Sequence, residues 1–378
     1  MRPCQFRLGF AIKGSKRNKS SCYQISLPLY SFSKTRDKRD YLQDSGLTMT
    51  LPSNLEFVIC NLCGNDTYRV LFPSTLTEED IKYGHAHYLI SQKSPVCGRI
   101  VQCRQCGLVY VNPRERASDI LLNYAMVQDT AYLLEQEARS ATFHRGLRLL
   151  ERYCPRKGNL LDVGCFVGLF LDIARGQGWS VSGIEPSRWA VEYAREKLNI
   201  EVLWGSLVDS KLGPDIFDAI TMWDVVEHLS DPKAALLALH GKLRENGVLL
   251  LNTVNYNSVF RRIFGRKYWF IERMHIYYFT PETLKKMLEA CNYRVVKILP
   301  HFKTLSLEYL SARLSDSSRL LSSAMKAIGS LFFLEQRHVT VYTGQMTVIA
   351  KKKDNGRPKT YEQPVFSWLR KAIRPDFT

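Results

Sequence analysis

The sequence predicts an α/β protein: a domain built on a strand–helix–strand framework, preceded by a small module held together by cysteines. Three observations predict it. Residues 159–206 read as strand, glycine turn, helix, strand, helix, strand. Four cysteines fall in two matched Cys-x-x-Cys pairs. At 378 residues and 45% apolar content, the chain is long enough for one full sheet-and-helix domain plus a smaller unit.

The ends of the chain carry much of its charge. The formal net charge is +17, much of it in residues 1–48, with Lys13, Lys16, Arg17 and Arg39, and in residues 352–378, with Lys359, Arg370 and Lys371. Both are expected as basic tails, the first disordered. A nucleic-acid partner is disfavoured, because no recognition motif lies between the tails. Residues 1–48 are rich in Arg and Ser, as targeting peptides are, but Asp37, Asp40 and Asp44 argue against that reading, and Met49 offers a second start. No stretch approaches the roughly 18 to 20 apolar residues that a membrane-spanning helix needs, so a cytoplasmic protein is expected.

Residues 55–115 hold Cys60-Asn61-Leu62-Cys63-Gly64 and Cys103-Arg104-Gln105-Cys106-Gly107. Two residues between thiols let a tight turn aim both sulfurs at one point, and the glycine that follows frees the backbone to make that turn. Two such turns complete a tetrahedral site with no open position, which specifies a structural Zn2+ bound by Cys60, Cys63, Cys103 and Cys106. A redox dithiol would not need a second identical pair. Cys97 is a spare candidate ligand; Cys4, Cys22, Cys154, Cys165 and Cys291 read as isolated thiols. The strings EFVIC, GRIVQC and LVYVNP read as short strands around the turns, the outline of a zinc ribbon. Residues 116–156 read as a helical connector.

In the larger domain the first strand, Leu160 to Val163, runs into Asp162-Val163-Gly164, a helix starts near Gly168, and Glu185 closes the second strand. Glu185 is placed to accept hydrogen bonds from the hydroxyls of a ribose. Asp162 decides which nucleoside. A dinucleotide would set its pyrophosphate against that carboxylate, whereas S-adenosylmethionine brings an ammonium and a sulfonium and no phosphate. No GxGxxG string is present.

The strings LLDVGCFVGLF, GIEPS, FDAITMWDVVEHLSDP and LRENGVLLLNTVN, in that order, resemble the motifs of class I S-adenosylmethionine-dependent methyltransferases. The resemblance spans residues 157–351 and is nearest the branch of ubiquinone-biosynthesis O-methyltransferases and sugar methyltransferases, some of which carry an N-terminal zinc module. It implies a Rossmann-like sheet of about seven strands. It further implies that Asp162, Gly164 and Gly168 border the methionine part, Glu185 the ribose, and Ser206 with Leu207 the adenine, while Trp223 and Asp224 end the fourth strand beside the methyl group. Two positions depart from the pattern: Phe166 stands where glycine is usual, and Ser206 where an acid often reads the adenine.

An oxygen or carbon nucleophile must lose a proton, and two histidines compete to take it: His228 in the Glu-His-Leu turn and His275 before Ile276-Tyr277-Tyr278-Phe279. Glu227 either orients His228 or forms a surface pair. Tyr277 and Tyr278 either line the acceptor pocket or belong to the core. The sixth strand is expected at Tyr293 to Ile298 and the last at Gln345 to Ala350, with a helical insertion at 301–338. Within it Leu320, Leu321, Met325 and Ile328 recur at helical spacing, as a roof over the site or a face for an anionic membrane, with Phe366, Trp368 and Leu369 assisting. The expected partner is a small-molecule acceptor, a sugar precursor or a polyprenyl or polyketide-like intermediate. The competing classes are a nicotinamide-dependent oxidoreductase and a non-catalytic zinc-ribbon adaptor. The sequence leaves the oligomeric state open.

Overall fold

The structure, a computed structural model, describes residues 54–77, 79–80, 96–207, 212–314, 323 and 337–353. The tails, Cys4, Cys22 and the amphipathic segment around Leu320 to Phe332 lie outside the described residues. No described helix is long and apolar enough to cross a membrane.

The cysteine-rich part supplies β1 (Leu55–Glu56), β2 (Tyr68–Phe72), β3 (Ile100–Cys103), β4 (Val109–Val111) and β5 (Arg114–Glu115). Helices α1 (Ala117–Ala125), α2 (Ala131–Leu134) and α3 (Gln136–Tyr153) follow. The larger domain then runs β6 (Asn159–Val163), α4 (Leu169–Gly176), β7 (Ser180–Glu185), α5 (Arg188–Leu198), β8 (Val202–Trp204), β9 (Phe217–Trp223), α6 (Pro232–Lys242), β10 (Leu243–Val254) and α7 (Val259–Phe264). It closes with β11 (Tyr277–Tyr278), α8 (Pro281–Ala290), β12 (Tyr293–Ser306), α9 (Leu307–Leu314) and β13 (His338–Lys352).

Seven strands form one sheet in the order β12-β13-β10-β9-β6-β7-β8, parallel from β10 to β8 and antiparallel where β13 joins β10 and β12. The central strands are apolar on both faces because helices cover both. Leu160, Leu161, Ala219, Ile220, Met222, Val248, Leu249 and Leu250 are fully buried. Each of the larger aliphatic side chains contributes about 1.5–3 kcal/mol relative to exposure. The helix starts follow local chemistry. Ser187 and Asp231 cap α5 and α6 by accepting from Ala190 N and Ala234 N, and Thr280 with Thr283 forms a capping box ahead of Pro281. The order of strand connection reverses between β6 and β9, and the carboxyl ends of those strands open onto the crevice where ligands bind in such folds.

Two expectations need correction, and a third point decides an alternative left open. First, β12 and β13 pair all the way from Tyr293↔Lys352 to Ser306↔His338, so residues 301–306 and 338 of the expected helical insertion are strand. Pro300 and the polar run His301, Lys303, Thr304 hid this, because their alternation shows only once the β-branched partner strand is alongside. Second, of the string EFVIC only Glu56 is in a strand; β1 pairs with β5 and does not lead into the first cysteine turn. Third, the four-stranded sheet of the cysteine module, β11-β4-β3-β2, takes one strand from far along the chain. That strand is Tyr277–Tyr278, so both tyrosines are buried sheet residues.

Gly146 lets α3 lie directly on Trp223, since a methyl group there would collide with the indole ring. Gly146→Ala should therefore overpack the contact by about 1–3 kcal/mol. A lowered melting temperature in thermal denaturation checks this; an unchanged one would show that Trp223 moves freely.

Candidate functional site

A cavity of about 340 Å3 opens at the carboxyl ends of β6, β7 and β9. Asp162, Gly164, Glu185, Ser206, Leu207, Trp223, Asp224, His228 and His275 all line it. Of the residues singled out for cofactor and catalysis, Gly168 alone lies outside this lining. It caps α4 at φ +79, and an added Cβ would sit 3.2 Å from the Ala194 Cβ, so its part is to let the start of α4 pack closely on α5.

At the turn, Gly164 has φ +71, and a Cβ there would approach Val225 Cγ2 to 2.6 Å, so the position requires glycine. Phe166 also adopts the left-handed region, φ +46, a backbone state that glycine tolerates and that costs another residue about 1–2 kcal/mol. Its ring packs against Tyr132 and Trp189, centroids 4.7 and 5.6 Å away, so the bulk forms part of the cavity wall.

Asp162 is 2% exposed and accepts the Thr221 hydroxyl at 2.7 Å. Burial pushes its carboxyl up to about 8, and the nearby Glu185 adds to this. Glu185 is raised to about 7, again by burial, although Ser187 N and Phe166 N each donate to it at 2.8 Å. Glu185 therefore holds the glycine turn as well as facing the cavity. Asp224 differs. Burial opposes its ionisation, but Lys303 at 2.6 Å overrides that and holds the carboxyl well below the usual range. Gln345 and Asn252 also donate to it, at 2.5 and 2.8 Å. With these donors on its oxygens and φ +54, Asp224 is a structural hub at the strand end.

The fold brings the competing histidines together, ring centroids 4.7 Å apart. His228 Nδ1 faces the Met274 carbonyl at 2.8 Å and His275 Nδ1 the Phe270 carbonyl at 2.7 Å. A carbonyl only accepts, so each Nδ1 carries the proton and a neutral ring keeps its lone pair on Nε2. His275 Nε2 lies 3.1 Å from Glu272 Oε1, an ion pair whenever the ring is protonated. Burial, reinforced by His275, lowers the His228 pKa to about 4. His228 is therefore an unprotonated base at neutral pH. Glu227 is 1% exposed and so is no surface pair. Its carboxyl is pushed up to about 8 by burial, with Asp224 adding to it. Glu227, His228 and His275 place ligand atoms within 4.8 Å of one another. A carboxyl held neutral suits that trio to proton handling better than to cation binding.

Residues the sequence reading did not single out complete the walls. Arg139 lines the cavity from α3, its guanidinium 3.8 Å from the Tyr132 ring centroid and its Nε buried without a hydrogen-bond partner among the described residues. Glu272 and Lys303 bring the charges described above. Ile120, Leu121, Tyr124, Phe270, Met274, Leu305 and Tyr309 make much of the remaining cavity wall apolar. The sequence marks residues 116–156 only as a helical connector, and the fold decides that α3 supplies this wall.

In the cysteine module, Cys60 Sγ lies 3.4 Å from Cys106 Sγ and Cys63 Sγ 3.6 Å from Cys103 Sγ, and all four sulfurs fall within 4.8 Å. Thiolates sharing a zinc at about 2.3 Å stand about 3.8 Å apart, so the set fits a tetrahedral ion. Cys97 is not in the cluster; it is buried beside Thr75.

A methyltransferase-domain family model matches residues 134–298. The chain is 32% identical over 113 residues to the mitochondrial ubiquinone biosynthesis O-methyltransferase of Schizosaccharomyces pombe, which covers 28% of this chain and 41% of that protein. It is 32% identical over 148 residues to the ubiquinone biosynthesis O-methyltransferase of Dinoroseobacter shibae, covering 36% of this chain and 60% of the relative. The chain thus spans 41% and 60% of the length of these two relatives. Among solved structures, an S-adenosylmethionine-dependent methyltransferase from Archaeoglobus fulgidus aligns with TM-score 0.41 and 21% identity, over 59% of this chain and 100% of that one. Together with the sheet order, the family match and the curated relatives identify residues 134–298 as a methyltransferase domain of the class I, S-adenosylmethionine-dependent type.

Proposed function

We propose that the protein transfers a methyl group from S-adenosylmethionine to a hydroxyl oxygen of a small, largely apolar acceptor. The single observation that carries this reading is that one cavity joins the carboxylates of the glycine turn to an uncharged, lone-pair-bearing histidine. S-adenosylmethionine, when bound, supplies an electrophilic methyl group on a cationic sulfur. Asp162 would face its cationic methionine part, Arg139 its carboxylate, Glu185 the ribose, and Ser206 with Leu207 the adenine. His228 would take the acceptor proton on Nε2, with His275 and Glu272 fixing its surroundings.

The apolar wall from Ile120 to Tyr309 favours a hydroxylated ring or isoprenoid over a free sugar, whose hydroxyls would find few partners there. The relatives named as O-methyltransferases support oxygen over carbon. In this reading residues 55–115 remain a zinc-bound module and residues 157–351 the transferase domain, with β11 as the strand they share. Four metal-binding thiols suit a reducing compartment, the cytoplasm or an organelle matrix. Incubation of the full chain with methyl-labelled S-adenosylmethionine and a panel of phenols, isoprenoid phenols and nucleotide sugars tests this. Label on a phenolic oxygen is expected. Label only on sugars or on carbon overturns the acceptor class, and intact cofactor binding with no transfer anywhere favours the adaptor reading.

The zinc assignment has its own check. The purified full chain should carry one zinc by elemental analysis. Structural zinc is worth about 10–16 kcal/mol of binding free energy near neutral pH, so Cys103→Ser should empty the site and lower the melting temperature by roughly 10 °C or more. Unchanged melting would make the four thiols a reduced cluster without a metal role.

A further inference from the structure

The cysteine module touches the transferase domain in a pattern that neither zinc binding nor cofactor binding explains. Its anchors fall on both sides of the histidine pair. Asn61, inside the first Cys-x-x-Cys turn, donates from Nδ2 to Asp231 Oδ1 at 2.8 Å and accepts from Lys233 N at 3.0 Å on its own Oδ1. Asp231 already caps α6 by accepting from Ala234 N, so Asn61 adds a tie between the turn and the segment after His228. Arg114, 9% exposed, donates to the Ser230 carbonyl at 2.8 Å and to the Tyr277 hydroxyl at 3.0 Å.

The backbone makes a second route. Val111 N, at the end of β4, donates to the Ile276 carbonyl at 2.9 Å, and Ile276 N donates to the Glu227 carbonyl at 3.0 Å. Ile276 directly follows His275, and Glu227 directly precedes His228. Tyr277 and Tyr278 then pair with Tyr110 and Val109 as the outer strand of the module's sheet. Glu115 meanwhile forms a buried ion pair with Arg273, two residues before His275. The β3–β4 hairpin that supplies the Val109, Tyr110 and Val111 contacts turns through Cys103 and Cys106, two of the four clustered thiols.

We infer that the cysteine module is a positioning device for the histidine pair, and that Asn61 is the positioning residue through which the first cysteine turn sets the His228 segment. The inference rests on the reading of His228 as the base. Asn61 touches no substrate; it acts by holding residues 230–233 so that His228 Nε2 keeps its aim into the cavity. A zinc ion in the four thiols would stiffen the turn that carries Asn61, while the cofactor turn at Gly164 is built from β6 and β7 and does not depend on it. Loosening the module should therefore disturb the acceptor side and spare the cofactor side.

The test uses the zinc-loaded full chain with S-adenosylhomocysteine as the probe, comparing the unaltered protein with Asn61→Ala and with Arg114→Gln. Zinc content and probe affinity should stay within about twofold. Hydrogen–deuterium exchange should rise at residues 225–234 and 274–278 and stay level at 160–185. Where an acceptor is known, kcat should fall about tenfold with the KM for the cofactor unmoved, as expected for a misaimed base. Unchanged exchange at 225–234 in both variants overturns the inference, and so does an equal rise across the cofactor turn, which would mean plain destabilisation. If Asn61→Ala releases zinc or does not fold, Arg114→Gln decides, because it lies outside the cysteine turns. The exchange readout needs no acceptor, so a failure of the methyl-transfer proposal leaves this one separately decidable.

Discussion

His228→Gln is expected to lower kcat by about 10²- to 10⁴-fold, the range that loss of a positioned general base costs, while S-adenosylmethionine affinity stays within about twofold. The reason is local. His228 Nδ1 is committed to the Met274 carbonyl, so only Nε2 can receive a proton, and glutamine has no basic lone pair to replace it. The same geometry fixes the pH dependence. A base works when unprotonated, so activity is lost as pH falls through its pKa. Burial holds that pKa near 4, well below the ordinary histidine value, so kcat at saturating cofactor should stay level on the acid side through pH 6. A profile that falls with a midpoint near 6.5 would show that His228 is solvated or is not the base. His275→Gln should cost less than His228→Gln, because His275 acts beside His228 and through its bond to Glu272.

The second large effect belongs to Asp162. Asp162→Asn should weaken S-adenosylmethionine binding by about 10- to 150-fold, the equivalent of the 1.5–3 kcal/mol carried by a hydrogen bond to a charged group. The sign of the pH effect follows from the raised pKa. With its carboxyl near 8 in the cofactor-free protein, Asp162 is largely protonated at pH 6, and a cationic ligand favours the ionised form. Binding must then release a proton, so affinity should rise from pH 6 to about pH 8 and level off above. Glu185, near 7, pushes in the same direction, so the Asn variant should keep a shallower slope. Titration calorimetry across that range in two buffers of different ionisation enthalpy reads both the affinity and the proton count. A flat affinity, or tight binding of a nicotinamide dinucleotide against this buried acid, would contradict the cofactor assignment.

Linear patterns of the chain carried the parts whose physics is local. The apolar strand at Leu160 to Val163, the glycine turn, the acidic end of β7 and the Thr280-Pro281 helix start each satisfy their own backbone within a few residues. The two Cys-x-x-Cys turns likewise announce a four-thiol centre, because spacing alone aims each pair. These features told the α/β class, the nucleoside cofactor and the four-thiol cluster from residues alone. What they could not tell was set by contacts between residues far apart in the chain. Tyr277 and Tyr278 are strand only because β4 lies beside them, and residues 301–306 are strand only because β13 pairs with them. Asp224 looked free to meet a ligand until Lys303, Gln345 and Asn252 arrived on its carboxylate from other strands. The two histidines were alternatives in the sequence, 47 positions apart, and became one pair when Ile276 bridged β4 to Glu227. Burial then set the protonation of His228: the energy of a charge depends on what surrounds it in three dimensions, and only the folded chain supplies those surroundings.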